Sequence, residues 1–181
     1  MKQVIRILAR KIGLVVLMVL SGCSSELSDY KETTPKFDLF QFFEGETKAW
    51  GIIQDYSDLQ TRRFEVSIVG TVKGNEIKLV EDFRFDDGEV SQRIWNISKQ
   101  DDESYEGRAD DIIGVAKGKE MGNALHWKYD FEIPRGDSTI VVTLDDWLYR
   151  QDETRAFNLT KIKKFGLEVG AITLFFEKQV R

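Results

Sequence analysis

The sequence has little cysteine, histidine and proline, and these shortages exclude several kinds of protein. Cys23 is the only cysteine and His126 the only histidine among the 181 residues, and there are two prolines. An internal disulfide framework, a multi-cysteine zinc site and a histidine-based zinc site are therefore excluded. With 12% aromatic residues and charges of both signs, the chain also lacks the composition of a disordered protein. Its length suits one domain with a buried core.

Basic residues form no strong cluster beyond the N-terminus, and the formal net charge is −5. Proteins that bind nucleic acid need a basic surface to neutralise phosphates, so we expect no nucleic-acid partner. The sequence also carries no glycine-rich loop that cradles phosphates and no Gly-x-Ser-x-Gly turn. We therefore predict no cofactor and no metal, and we assign no catalytic residue.

The N-terminus has the pattern of an export signal. Residues 1–11 contain four basic residues and no acidic one, and residues 12–20 are wholly apolar. A basic segment followed by a short apolar run is typical of a signal peptide, and the run is too short to span a bilayer, which takes about 20 residues. We predict a signal-peptide helix over residues 1–22.

The residues that follow, Leu20-Ser21-Gly22-Cys23, resemble the lipobox of bacterial lipoprotein precursors. In that family the cysteine thiol receives a diacylglycerol, the chain is cut before it, and the new amine is acylated. The resemblance implies lipid attachment at Cys23 and a membrane partner, and Ser24 implies the periplasmic face of the outer membrane rather than the inner membrane. The alternative is an ordinary secretory peptide with a chance cysteine. The polar residues after the cysteine predict a flexible tether over 23–36.

From Phe37 onward the apolar residues repeat every second position, which indicates β-strands. Turn signals recur about every 12 residues, so we predict an all-β domain over residues 37–181. We expect an antiparallel meander of eight to ten strands in a sandwich or barrel. Phenylalanines crowd residues 37–48 too closely for strict alternation, which favours a short helix or loop there.

Two turns fix the register of the central strands. A two-residue turn at Gly74-Asn75 pairs Val72 with Ile77. A three-residue loop ending at Gly88 keeps apolar residues together, and it pairs Leu79 with Trp95 and Glu81 with Arg93. Glu81 and Arg93 then face each other on the apolar side of neighbouring strands. We predict that they interact there, either as a polar anchor for a ligand head group or as an ion pair that only fixes the register.

Several aromatic residues alternate along the strands that follow. Trp127, Tyr129 and Phe131, with Trp95 and Trp147, form either the lining of a pocket or an ordinary core. His126 alternates with charged residues, so we expect it on the solvated face. A lysine cluster at 161, 163 and 164 is typical of a solvated strand end.

Several stretches of the sequence also resemble one known family. They are Arg63-Phe-Glu-Val-Ser-Ile-Val-Gly70, Glu81-Asp-Phe-Arg-Phe-Asp-Asp-Gly88 with Arg93-Ile-Trp95, Tyr105-Glu-Gly107, Asp145-Asp-Trp147, and Lys164-Phe-Gly166 with Gly170. They resemble, in the same order and with similar spacing, the bacterial lipoprotein family called domain of unknown function 3833. The resemblance implies a lipocalin-like or calycin-like barrel, a fold that often holds a small apolar molecule.

Three functions fit these observations. The first is a lipoprotein that binds a lipid, fatty acid or other apolar molecule, with Glu81, Arg93, Trp95, Trp127 and Tyr129 around it. The second is a structural envelope protein whose barrel is filled with side chains. The third is an enzyme that uses inward carboxyl groups on a lipid substrate. We rank them in that order, and the sequence identifies no protein partner.

Overall fold

The computed structural model describes residues 25–100, 103–136 and 138–180. These contain a short 3-10 helix, Leu27–Tyr30, and one α-helix, α1, Leu39–Phe43. The ten strands are β1 Gly45–Asp55, β2 Gln60–Lys73, β3 Glu76–Phe85, β4 Val90–Lys99, β5 Ser104–Arg108, β6 Ile112–Met121, β7 Ala124–Arg135, β8 Ser138–Arg150, β9 Arg155–Lys164 and β10 Leu167–Lys178. The predicted signal peptide over 1–22 and the predicted lipid attachment at Cys23 lie outside the described residues.

The strands form a closed antiparallel barrel. Each strand pairs with its neighbour along the chain, and β1 pairs with β10 to complete the ring. The prediction of an all-β meander of eight to ten strands is confirmed, as is the short helix within 37–48. No helix in the described part of the chain has the length and apolar character needed to cross a membrane.

The predicted register of the central strands is confirmed. Lys73 pairs with Glu76 around the turn at Gly74, where φ is +62°, and Val72 pairs with Ile77. Gly88 has a φ of +90°, a conformation that glycine adopts without a steric penalty. Across this second turn Glu81 pairs with Arg93.

One end of the barrel is closed by α1. The Asp38 carboxylate caps the helix by accepting a hydrogen bond from the Gln41 N–H. Leu39 and Phe42, which are 3% and 1% exposed, face the core. We call this the closed end; it also holds the turns that join even-numbered strands to the next odd-numbered ones. The open end holds the other turns, from β1 to β2, β3 to β4, β5 to β6, β7 to β8 and β9 to β10.

The segment before α1 packs on the outer wall near the closed end. The Tyr30 ring lies 5.7 Å from Trp147 and 5.5 Å from Tyr149, measured between ring centroids. The Thr33 hydroxyl contacts the Asn123 side chain at 2.8 Å. Residues 25–36 therefore form a packed arm rather than the predicted flexible tether, because aromatic and hydrogen-bonding residues within the polar stretch find partners on the barrel.

Two glycines make room for a tryptophan inside the barrel. A Cβ on Gly118 would lie 1.6 Å from the Trp127 ring, and one on Gly107 would lie 2.7 Å from it. Any larger residue would displace the indole, since real Cβ atoms do not approach so closely. These glycines therefore place Trp127 against the wall of β5 and β6.

Candidate functional site

The barrel encloses a cavity of about 560 Å³, which we call the lumen. Its floor includes Leu39 and Phe43, and it extends toward the open end past residues such as Ile133 and Glu89. Cavities of this size hold drug-sized or lipid-like ligands, which need roughly 300 Å³ or more. The five residues that the sequence predicted around a ligand all line it: Glu81, Arg93, Trp95, Trp127 and Tyr129.

Three of these form an aromatic wall. The Trp95 ring meets Trp127 edge-on at 5.9 Å and Tyr129 edge-on at 5.4 Å, between centroids. Edge-to-face packing holds large rings in fixed positions. The side chains are buried from bulk solvent, so this wall offers a rigid apolar surface to a ligand.

Arg93 is held by a partner that the sequence did not predict. Its Nε donates to Asp111 Oδ2 at 2.7 Å. Its guanidinium also lies 4.9 Å from the centre of the Phe131 ring, which adds a cation–π attraction. Asp111 belongs to the turn between β5 and β6, and the long arginine side chain reaches it from β4.

The prediction that Glu81 and Arg93 lie opposite each other, face the interior and interact is confirmed, but the interaction is one of charge rather than a direct salt bridge. No side chain among the described residues forms an ion pair or hydrogen bond with the Glu81 carboxyl group at ordinary contact distance. Arg93 is committed to Asp111, and the two residues interact only through their charges. Glu81 is thus a polar group that faces the lumen without a bonded partner.

Burial raises the pKa of Glu81 to about 7. The charge of Arg93 opposes this rise, while the nearby carboxyl groups of Asp111 and Asp146 add to it. Packing against the apolar wall of the lumen removes part of the water around the carboxylate, which disfavours its charged form. Near neutral pH Glu81 therefore exchanges readily between its acid and carboxylate forms.

Asp146 is a second inward carboxyl group, which was not among the candidate site residues predicted from the sequence. It is 8% exposed and contacts the Thr160 hydroxyl, which lies 2.9 Å from Asn158 Oδ1. Burial raises the pKa of Asp146. The Thr160 hydroxyl donates to the Asp146 carboxyl group, and the Tyr129 phenol also hydrogen-bonds to it. These two hydroxyl groups fix the inward position of the carboxyl group. On β8, Asp146 occupies the same alternating positions as Leu144 and Leu148. This pattern in the sequence predicts that its side chain faces the interior.

Tyr129 completes the polar part of the lumen. Burial raises the pKa of its phenol well above the usual value, and the Asp146 carboxyl group adds to the rise. The phenol therefore stays protonated, so it remains able to donate a hydrogen bond.

Trp147, a candidate pocket residue from the sequence, lies outside the lumen. It stacks on His126 with a centroid distance of 4.4 Å. His126 itself lies on the outer face as expected, with Nε2 2.7 Å from Asp145 Oδ1. Trp147 is outward because Asp146, its neighbour on β8, takes the inward position.

Arg62 crosses the mouth of the lumen. Its guanidinium contacts Asp87 at 2.7 Å and Glu89 at 3.0 Å and lies 3.8 Å from the centre of the Phe85 ring. The turn between β3 and β4 is thereby tied to β2. This cluster could not be predicted from the sequence, because its members are far apart in the chain.

The fold and the lumen define a barrel of the lipocalin or calycin type, as predicted. The model of one protein family, described as Protein of unknown function (DUF3833), matches residues 17–178. The chain belongs to this family, which confirms the resemblance noted from the sequence.

Among solved structures, the barrel is similar to the S-type phycobiliprotein lyase from Guillardia theta. The TM-score is 0.55 and the identity 9%, over 78% of this chain and 92% of that one. At this identity the likeness extends to the fold alone. A comparison with curated protein sequences finds no match.

Proposed function

We propose that this protein is a bacterial envelope lipoprotein that binds a lipid or other small apolar molecule inside its barrel. The observation that carries the proposal is the lumen of about 560 Å³ with its aromatic wall. A barrel that served only as a solid structural element would fill this space with side chains. The lumen therefore favours binding over the structural alternative.

The membrane anchor in this proposal is the acylated Cys23, on the periplasmic face of the outer membrane. Its support is the lipobox-like sequence after a short apolar run. The test is Cys23→Ser in the full-length chain, with incorporation of labelled palmitate as the readout. We expect an uncleaved, unlabelled precursor. Normal processing and membrane retention of the variant would refute the anchor.

The charges of the lumen narrow the class of ligand. The lining holds five carboxyl groups and two guanidinium groups. Both guanidinium groups are already paired, Arg93 with Asp111 and Arg62 with Asp87 and Glu89. An anionic head group on a ligand would meet more repulsion than attraction in this space. The lumen thus suits an apolar molecule whose head group donates hydrogen bonds, as an alcohol or an amine does, better than a fatty acid.

Three single-chain amphiphiles of equal length test this preference: dodecylamine, dodecanol and dodecanoate. Binding is measured below the critical micelle concentration by isothermal titration calorimetry. We expect the amine and the alcohol to bind more tightly than the carboxylate, and Glu81→Gln to weaken the amine selectively. Tighter binding of dodecanoate, lost in Arg93→Lys, would instead show that Arg93 grips an anionic head group, as its forked donors allow.

A second candidate is acid–base chemistry on the bound molecule. The observation that favours it is Glu81, a lumen-facing carboxyl group with a pKa of about 7, which is the range that suits a general acid or base. The test follows the lipid that co-purifies with the protein by mass spectrometry during incubation. A product formed by the wild type but not by Glu81→Gln would support catalysis, and an unchanged lipid would support binding alone.

A further inference from the structure

Exposed apolar side chains concentrate at the open end of the barrel. The described residues include fourteen large apolar side chains that are exposed, and nine of them lie in or within about four residues of an open-end turn. We call these nine the rim: Tyr56, Leu59, Val90, Ile113, Ile133, Val141, Phe165, Leu167 and Val169. Clustered apolar exposure of this kind marks an interaction surface rather than ordinary surface variation.

Phe165 is the most exposed member of the rim. It sits in the turn between β9 and β10 with 95% of its surface exposed and a φ of +52°. Glycine or asparagine occupies this backbone conformation at lower cost than phenylalanine does. Neither the backbone nor the packing within the chain benefits from an aromatic ring here, so the ring is suited to a surface outside the chain.

A second apolar turn lies beside it. Because β10 pairs with β1, and Asp55 pairs with Gly170, the turn that holds Tyr56 and Leu59 is adjacent to the turn that holds Phe165. Tyr56 is 84% exposed. The two hairpins together present several apolar side chains on one side of the mouth.

Many charges around these turns are paired within the protein. Arg63 pairs with Asp86, and Lys161 with Glu168. The Lys164 ammonium lies 5.6 Å from the centre of the Phe165 ring. An apolar ring with a lysine beside it suits the boundary between acyl chains and head groups, where the ring inserts and the ammonium stays in water. The pairs Arg63 with Asp86 and Lys161 with Glu168 add no net charge to this surface.

The N-terminal segment of the described residues lies at the opposite end. The packed arm over residues 25–36 lies near the closed end, and the Phe37 N–H donates to the Gly122 carbonyl in the turn between β6 and β7. Cys23 is four residues from Leu27 in the sequence, a span of at most about 14 Å. An anchor at Cys23 would thus hold the closed end near its own membrane and leave the rim free for a different surface.

We propose that the rim docks on the surface of a zwitterionic lipid bilayer and there exchanges the ligand of the lumen. The exchange and the N-terminal anchor used in the test rest on the function proposed above, whereas the contact of the rim with lipid does not. The mouth of the lumen lies within the rim, so a ligand that leaves the barrel there enters an apolar environment directly.

The test uses the full chain, reconstituted through its N-terminus into donor vesicles of phosphatidylcholine. Protein-free acceptor vesicles carry phosphatidylcholine with brominated acyl chains. Clustering of the two populations is followed by light scattering, and insertion of the rim by extra fluorescence quenching in Phe165→Trp relative to the wild type. We expect clustering, and quenching of the added tryptophan.

Phe165→Asp should raise the acceptor-lipid concentration for half-maximal clustering by about tenfold or more, because it replaces the inserted ring by a charge. The matched control is Phe157→Asp on the outer wall, where Phe157 is 40% exposed; it should change that concentration less than about twofold. Absent clustering, equal loss in both variants, or clustering only when both populations carry protein would overturn the proposal. Docking without amphiphile binding in the calorimetric experiment would refute the proposed function but leave the docking in place.

Discussion

The two ends of the barrel differ in how they treat apolar side chains. At the closed end, Phe42 is 1% exposed, and buried Glu120 accepts a hydrogen bond from the Leu39 N–H that holds α1 in place. At the open end, Phe165 is 95% exposed. Phenylalanine thus stabilises the fold at the closed end and is available to other molecules at the open end. Residues that hold the fold together are therefore distinct from those proposed to act in ligand exchange.

The largest expected effect comes from making the same substitution at each end. Phe42→Ala should lower the free energy of unfolding by about 4 kcal/mol, because it leaves a cavity under α1. Phe165→Ala should change it by less than about 0.5 kcal/mol, since the ring packs on little. Urea unfolding measures both. Similar losses in the two variants would contradict the division between the ends.

Glu81, between the two ends, should give the next largest effect, and it depends on pH. The pKa of Glu81 in the folded protein, about 7, lies above that of an unfolded glutamate. The contribution of Glu81 to the free energy of unfolding is therefore complete below about pH 4.5 and is lost as the pH rises through 7. Glu81→Gln removes this loss and should stabilise the ligand-free protein at pH 8 by on the order of 3 kcal/mol, with little change at pH 4.5. Unfolding midpoints at the two pH values give the comparison.

Glu65→Gln is the matched control, because Glu65 lies exposed on the outer face of β2. It removes a carboxylate without touching the lumen. If both variants have the same effect at pH 8, the lumen is more hydrated than the structure indicates.

Arg93 links the middle of the lumen to an open-end turn through Asp111. Arg93→Ala should destabilise the protein by about 2 kcal/mol, since it leaves a partly buried carboxylate unpaired. Lys128→Ala, on the exposed face of β7, should have almost no effect. Equal denaturation midpoints for the two variants would show that the pair adds no stability.

The smallest expected effect lies in the packed arm. Tyr30→Ala should cost about 1 kcal/mol, because it removes the ring contacts with Trp147 and Tyr149. It should also make residues 25–36 more sensitive to limited proteolysis. Tyr56→Ala, at the exposed open end, serves as the control. Equal proteolysis rates in all three proteins would mean that Tyr30 does not hold the arm.

The sequence was sufficient to predict most of the strands of the barrel and the register of the central ones. Alternation and two glycine turns fixed the register that places Glu81 opposite Arg93, because a slip of one residue would turn every apolar side chain outward. However, alternation predicts only whether a side chain lies on the inner or the outer face of the barrel. It could not show that Arg93 reaches across to Asp111, since that contact depends on barrel closure and on a turn outside the strand pattern.

The arm illustrates a different limit. The polar composition of residues 25–36 predicted a flexible tether. Composition does not predict which contacts individual residues make with a neighbouring surface. Tyr30 and Thr33 have partners on β6, β7 and β8 or the turns between them, more than 80 residues further along the chain. Such contacts become visible only once the barrel is assembled.

The placement of the four tryptophans gives the barrel a natural optical label. Trp95 and Trp127 face the lumen, whereas Trp50 and Trp147 lie on the outer wall. A dissolved quencher such as iodide reaches the outer pair first, so emission that survives it comes mainly from the inner pair. Because that emission responds to whatever fills the space beside the rings, the unlabelled protein can report occupancy in real time, and a screen for its natural ligand needs no added dye.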